Sequence, residues 1–98
     1  MGVRDIRSRG AVLQAMAEYD DIGQTAFLSK YGFGSRTKFV LVHEGRHYDP
    51  KAILGVAHGC AFPGLGPLSR DEFSGGAQTN RQLERLGFAV REMDAHAR

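Results

Sequence analysis

The sequence predicts an α+β fold: four helices, one further single helical turn, and a small antiparallel sheet built from a β-hairpin and a C-terminal strand. Three observations carry this. Apolar residues recur at helical spacing in Ser8–Tyr19 and again in Pro50–His58. The run KFVLVH, Lys38–His43, is rich in β-branched and aromatic residues and enters Glu44-Gly45, a tight-turn signal. Phe88–Glu92 alternates apolar Phe88 and Val90 with Ala89 and Arg91, as a half-buried strand does.

In chain order, Ser8–Tyr19 is the first helix, with Val12, Leu13 and Met16 on one face and Ile6 and Tyr19 extending it. Arg4, Arg7 and Arg9 lie at or before its start, where the helix dipole disfavours cations. Asp20-Asp21-Ile22-Gly23 ends it. Gln24–Tyr31 is a short second helix, Phe27 and Leu28 inward, stopped by Gly32. Gly34–Thr37 is a loop. After the first strand and its turn, Arg46–Tyr48 returns as the hairpin partner. Asp49 as N-cap and Pro50 at the first helical position start the third helix, which buries Ile53, Leu54, Val56 and Ala57. Gly59–Leu68 is a Gly/Pro loop, Ser69 caps a single turn at Arg70–Phe73, and Ser74-Gly75-Gly76 leads into a fourth helix, Ala77–Leu86, stopped by Gly87. The order ααββααβ resembles that of winged-helix domains, an analogy of order alone. Residues 1–92 are expected to form one domain and 93–98, MDAHAR, to begin a linker to a further domain.

Bulk properties narrow the function classes. At 98 residues the chain can bury one modest core. A net charge of +2 excludes a histone-like polycation. Ten Arg against three Lys suits bidentate phosphate contacts, and a GC-rich genome produces the same bias. The lone Cys60 precludes an intrachain disulfide and fits a reducing, cytoplasmic setting. There is neither a secretory h-region nor an apolar run of about 20 residues, so no membrane partner is expected.

Two stretches have the chemistry of an anion site. Lys51 lies in the first turn of the third helix, against the dipole, beside Arg46, Tyr48, Asp49 and Pro50. Either Asp49 supplies the compensating charge or a phosphate does, held by Lys51, Arg46 and free backbone N–H groups. Ser74-Gly75-Gly76 precedes Thr79, Asn80 and Arg81. Paired glycines let a phosphate approach the backbone, and they equally serve a plain turn. No Gly-Lys-Ser/Thr follows, so this is not a P-loop. The four histidines and Cys60 lack the spacing of a zinc site, and nothing sets a base and an oxyanion hole beside Cys60. Catalysis, a metal and a cofactor are therefore not expected. Phe27, Phe33, Phe39, Phe73 and Phe88 read as core; Tyr31 and Tyr48 flank loops and suit either base stacking or the core edge.

FLSKYGFG, LVHEGRHYDPKAILGVAHG and GPLSRDEFSGGAQTNRQLERLGFAV together resemble the N-terminal head domain of ScoMcrA-like, modification-dependent (type IV) restriction endonucleases, over about Ala17–Val90. One departure is Pro50, where relatives are expected to carry Ser, a potential phosphate donor. The resemblance implies a bacterial defence role, with modified-DNA readers and an HNH nuclease downstream of this segment. The expectation is a non-catalytic module that binds double-stranded DNA. Arg36, Lys38, Arg46, Tyr48 and Lys51 would hold the backbone from the hairpin side, and Ser74, Gly75, Gly76, Asn80 and Arg81 from the fourth helix. Base readout would fall to Asn80 or Gln78. The alternative is a docking or dimerisation module that positions the reader and nuclease domains of the same chain.

Overall fold

A computed structural model describes residues 6–34, 38–73 and 76–92. Arg36, Ser74, Gly75 and the expected linker 93–98 lie outside the described residues. The elements are α1 (Arg9–Ile22), α2 (Gln24–Tyr31), β1 (Phe39–His43), β2 (Arg46–Tyr48), α3 (Pro50–Ala61), α4 (Ala77–Arg85) and β3 (Ala89–Glu92), in the expected order.

Ser8 caps α1: its hydroxyl accepts from the Ala11 N–H at 3.1 Å. The helix runs past Tyr19 to Ile22, because the chain can turn only at Gly23, where φ is +88°. Val12, Met16 and Tyr19 are buried as the spacing predicts, but Leu13 is 39% exposed. Ala11 and Ala15 complete the inward stripe instead, and their small side chains let α1 lie close against α3. The sheet order is β2-β1-β3, both pairs antiparallel, with Leu41 between Tyr48 and Val90. The hairpin turn puts both Glu44 and Gly45 at positive φ, the geometry of a two-residue turn matched to strand twist.

α3 continues to Ala61, beyond the expected end at His58. Gly59 is a packing residue rather than a stop. A Cβ there would come within 2.7 Å of the Pro67 nitrogen, so the returning loop lies directly on the helix. His58 is fully enclosed under that loop and its Nδ1 bonds the Gly66 carbonyl at 2.8 Å. At Ser69 the chain makes a hydrogen-bonded turn: Glu72 N–H donates to Ser69 O, and the Glu72 carboxylate accepts from Ser69 N–H.

The core is Ile53, Leu54 and Ala57 of α3 against Val12, Ala15 and Met16 of α1. Phe27, Leu41, Leu83 and Phe88 close it from α2, the sheet and the α4 end. Phe33 is also buried, while Phe39 and Phe73 are half-buried. The N-terminal segment is fastened to α4 twice. Buried Gln82 donates to the Ile6 carbonyl at 2.7 Å, and Arg9 Nη1 donates to Leu86 O at 2.8 Å. Arg9 also lies 4.3 Å over the Phe88 ring. Arg9 thus sits at the start of its own helix but at the carbonyl end of α4, where a cation is favoured.

Candidate nucleic-acid interface

Those of the expected phosphate-holding residues that are described occupy three stations. At the hairpin, Arg46 of β2 places Nη1 3.0 Å from Asp20 Oδ2, and the Tyr48 hydroxyl donates to the same carboxylate at 3.0 Å. The Asp20 charge raises the Arg46 pKa further, and burial followed by the bond to Asp20 raises that of Tyr48. Tyr48 is only 3% exposed and meets Tyr19 edge-on, so it is a core-edge ring with no face free for stacking. Tyr31 is tied in the same way, its hydroxyl donating to Glu18 at 2.7 Å. A phosphate at Arg46 would have to compete with Asp20.

The second station is the start of α3. Lys51 Nζ donates to the Arg70 carbonyl at 2.7 Å and lies 5.2 Å from the Phe73 ring centre. Asp49 is not its counter-charge. Asp49 is buried and makes no side-chain capping bond to α3. Its Oδ1 accepts instead from the Tyr19 hydroxyl at 2.7 Å and the Gln24 amide at 2.9 Å. Lys51 therefore has a carbonyl dipole rather than an anion as its hydrogen-bonding neighbour. Arg70, next to it, is exposed and 3.9 Å from Asp71.

The third station lies where α4 meets the β1–β3 edge. Gly76, at φ +70°, begins α4, and its carbonyl accepts from Asn80 N–H at 2.9 Å. Asn80 and Arg81 line an open groove of about 410 Å³ with Phe39, Ala77, Glu84, Val90 and Glu92. Glu92 also meets Lys38 Nζ at 3.6 Å, which brings Lys38 to the rim of this groove. Lys38, Gly76, Asn80 and Arg81 are thus assembled together. Arg46 and Tyr48 lie across the sheet on β2, Arg46 opposite the far end of β1. Asn80 Oδ1 is enclosed without a hydrogen-bond partner, turned inward rather than toward solvent. Arg85, one turn beyond Arg81, is a residue the sequence reading missed, although the i, i+4 spacing of the two arginines was there to be read. Arg81 and Arg85 are exposed, with no ion pair among the described residues.

The remaining chemistry is inert in form. Burial, and secondarily the Glu18 charge, push the Cys60 thiol up, the opposite of an activated nucleophile. Among the described residues no group of three or more His, Cys, Asp or Glu converges as metal ligands. No helix among them is long and apolar enough to cross a membrane.

A search of curated proteins finds no match. Among solved structures, the chain is similar to one titled "Structure of the Type IV phosphorothioation-dependent restriction endonuclease ScoMcrA". The TM-score is 0.66 at 37% sequence identity, covering 89% of this chain and 13% of that one. The chain thus spans about an eighth of the length of that neighbour. The family model of the ScoMcrA-like N-terminal head domain matches residues 4–92, and the chain belongs to that family.

Proposed function

We propose that this head domain is a non-catalytic DNA-binding module serving a cytoplasmic, modification-dependent restriction enzyme. Its contacts are to the DNA backbone and, in the wider form of the proposal, to a modified base, whereas the dedicated modification reader and the HNH nuclease belong to other domains of that enzyme. The observation that carries the reading is the gathering of Lys38, Asn80 and Arg81 at the α4 edge, with Arg85 one turn further along the helix, in a family named for a restriction endonuclease. Lys51, held by a carbonyl rather than a carboxylate, adds a further cation with no ion pair among the described residues. Arg36, Ser74 and Gly75 complete the proposed backbone contacts, with Arg46 and Tyr48 the weakest members because Asp20 already occupies them. Contacts of this kind bring affinity and salt dependence without sequence choice.

The test is a fluorescence-anisotropy titration with unmodified, 5-methylcytosine and phosphorothioate duplexes at two salt concentrations, repeated for the Lys51→Glu/Arg81→Glu double variant. The expected outcome is salt-sensitive binding that drops about tenfold or more in the variant. Unchanged affinity would end the assignment.

A second reading, a docking module, has one observation in its favour. Leu65 is 61% exposed at the tip of a loop whose backbone is tied by Leu65 N–H and Gly66 N–H to Phe62 O and by His58 to Gly66 O. A lone exposed leucine falls short of the contiguous apolar patch that marks a protein contact, so this reading ranks second. Concentration-dependent self-association abolished by Leu65→Ser would favour it.

A further inference from the structure

We infer that one flank of α4, formed by Gln78, Arg81 and Arg85, enters the DNA major groove, and that Gln78 and Arg81 are its specificity-determining residues. This rests on the DNA-binding reading above and adds where the duplex lies and what reads it.

α4 buries Thr79, Gln82 and Leu83. Its sheet-side flank, Ala77, Asn80 and Glu84, lines the groove against Phe39 and Val90. Beside it lies the flank carrying Gln78, Arg81 and Arg85, all three exposed, with Arg81 at the boundary because it also lines the groove. At 3.6 residues per turn these positions fall within about 60° of one another. Their span along the axis is about 10 Å, or roughly three base-pair rises of 3.4 Å. Beyond Arg85 the ridge continues in Arg9, fixed at the α4 C-terminus by one bond to Leu86 O. A guanidinium has five N–H donors, so Arg9 keeps most of its own for an incoming phosphate. The ridge is therefore a line of three arginines with one amide near its N-terminal end.

The partner follows from chemistry and size. A major groove about 12 Å wide admits a single helix, and residues near the N-terminal end of such a helix reach the bases. Arg presents a fork that fits guanine O6 and N7, and Gln one that fits adenine N6 and N7. Gln78 and Arg81, one turn apart, are of those two types. Arg85 and Arg9, farther along, are placed for phosphates on the groove wall. Asn80, which the sequence also offers as a base reader, is excluded because its Oδ1 is enclosed and cannot complete a two-pronged contact with a base.

The experiment is selection of the 98-residue domain on a duplex pool with a randomised central segment, followed by anisotropy on the winner and a scrambled duplex. It is run for wild type, Gln78→Ala and Arg81→Ala, with thermal melts to show that these exposed substitutions leave the fold intact. We expect wild type to enrich a preference over two or three adjacent base pairs. Arg81→Ala should lose about tenfold or more on the selected duplex and only a few-fold on the scrambled one. Gln78→Ala should flatten the preference at one position. Salt-dependent binding with no preference, or a preference that survives both substitutions, overturns the inference and leaves the backbone-binding reading standing. Absence of binding to any duplex at low salt by the folded domain overturns both.

Discussion

Glu18 joins two helices through one carboxylate, which accepts from both Lys30 and the Tyr31 hydroxyl. Burial alone would raise its pKa, but those two donors outweigh it and the net shift is downward. A carboxyl lowered in the folded state stabilises above its unfolded pKa and loses that contribution as pH falls through the folded value. Glu18→Gln should therefore be less stable than wild type in urea unfolding at neutral pH. The gap should close as pH falls below the ordinary carboxylate value of 4.5. A gap independent of pH would mean that packing, not charge, is what Glu18 contributes.

The elements are held by groups whose roles their local sequence does not announce. Asp49 has the position of a helix cap yet fastens α1 and α2 through Tyr19 and Gln24. Asp49→Ala removes the acceptor shared by the buried Tyr19 hydroxyl and the Gln24 amide and should cost about 1–3 kcal/mol in chemical denaturation. Asp49→Asn keeps one acceptor oxygen and should cost less. Gly59 makes the same point in reverse. Helix propensity favours Ala there by about 1 kcal/mol. The added Cβ, however, would meet the Pro67 nitrogen at 2.7 Å and Pro67 Cδ at 2.9 Å, neither on a flexible side chain. Overpacking costs about 1–3 kcal/mol, so Gly59→Ala should destabilise. This is why the end of α3 was misplaced by sequence reading, which sees a glycine after an apolar run and not the loop that returns over it. Element types and order were legible, since they rest on periodicity, caps and the Glu44-Gly45 turn. The grouping of the site residues was not. Arg46 with Asp20, and Lys38 with Glu92, are pairs formed by tertiary packing across long stretches of chain.

Over the whole molecule the net charge of +2 conceals an uneven distribution. Arg46, Lys30 and Lys38 are paired with carboxylates, whereas Arg81 and Arg85 stand free of ion pairs among the described residues. Glu84 lies between these two in sequence and opposes any polyanion approaching α4. Glu84→Gln should therefore tighten DNA binding a few-fold at low salt and less at high salt, as screening shortens the reach of that charge. An equal gain at every salt concentration would point to a changed fold of α4 rather than to charge.

The middle strand of the sheet has one neighbour that follows it almost at once and another, Ala89–Glu92, supplied at the far end of the described chain. Because Val42 must wait for Ala89, half of β1 stays an unpaired edge until nearly the whole domain has emerged from the ribosome. Contacts of such long sequence separation form slowly. An N-terminal domain of this topology would hold an open strand edge through the second half of its own synthesis. The lag would end with its last strand, before any downstream domain has been made.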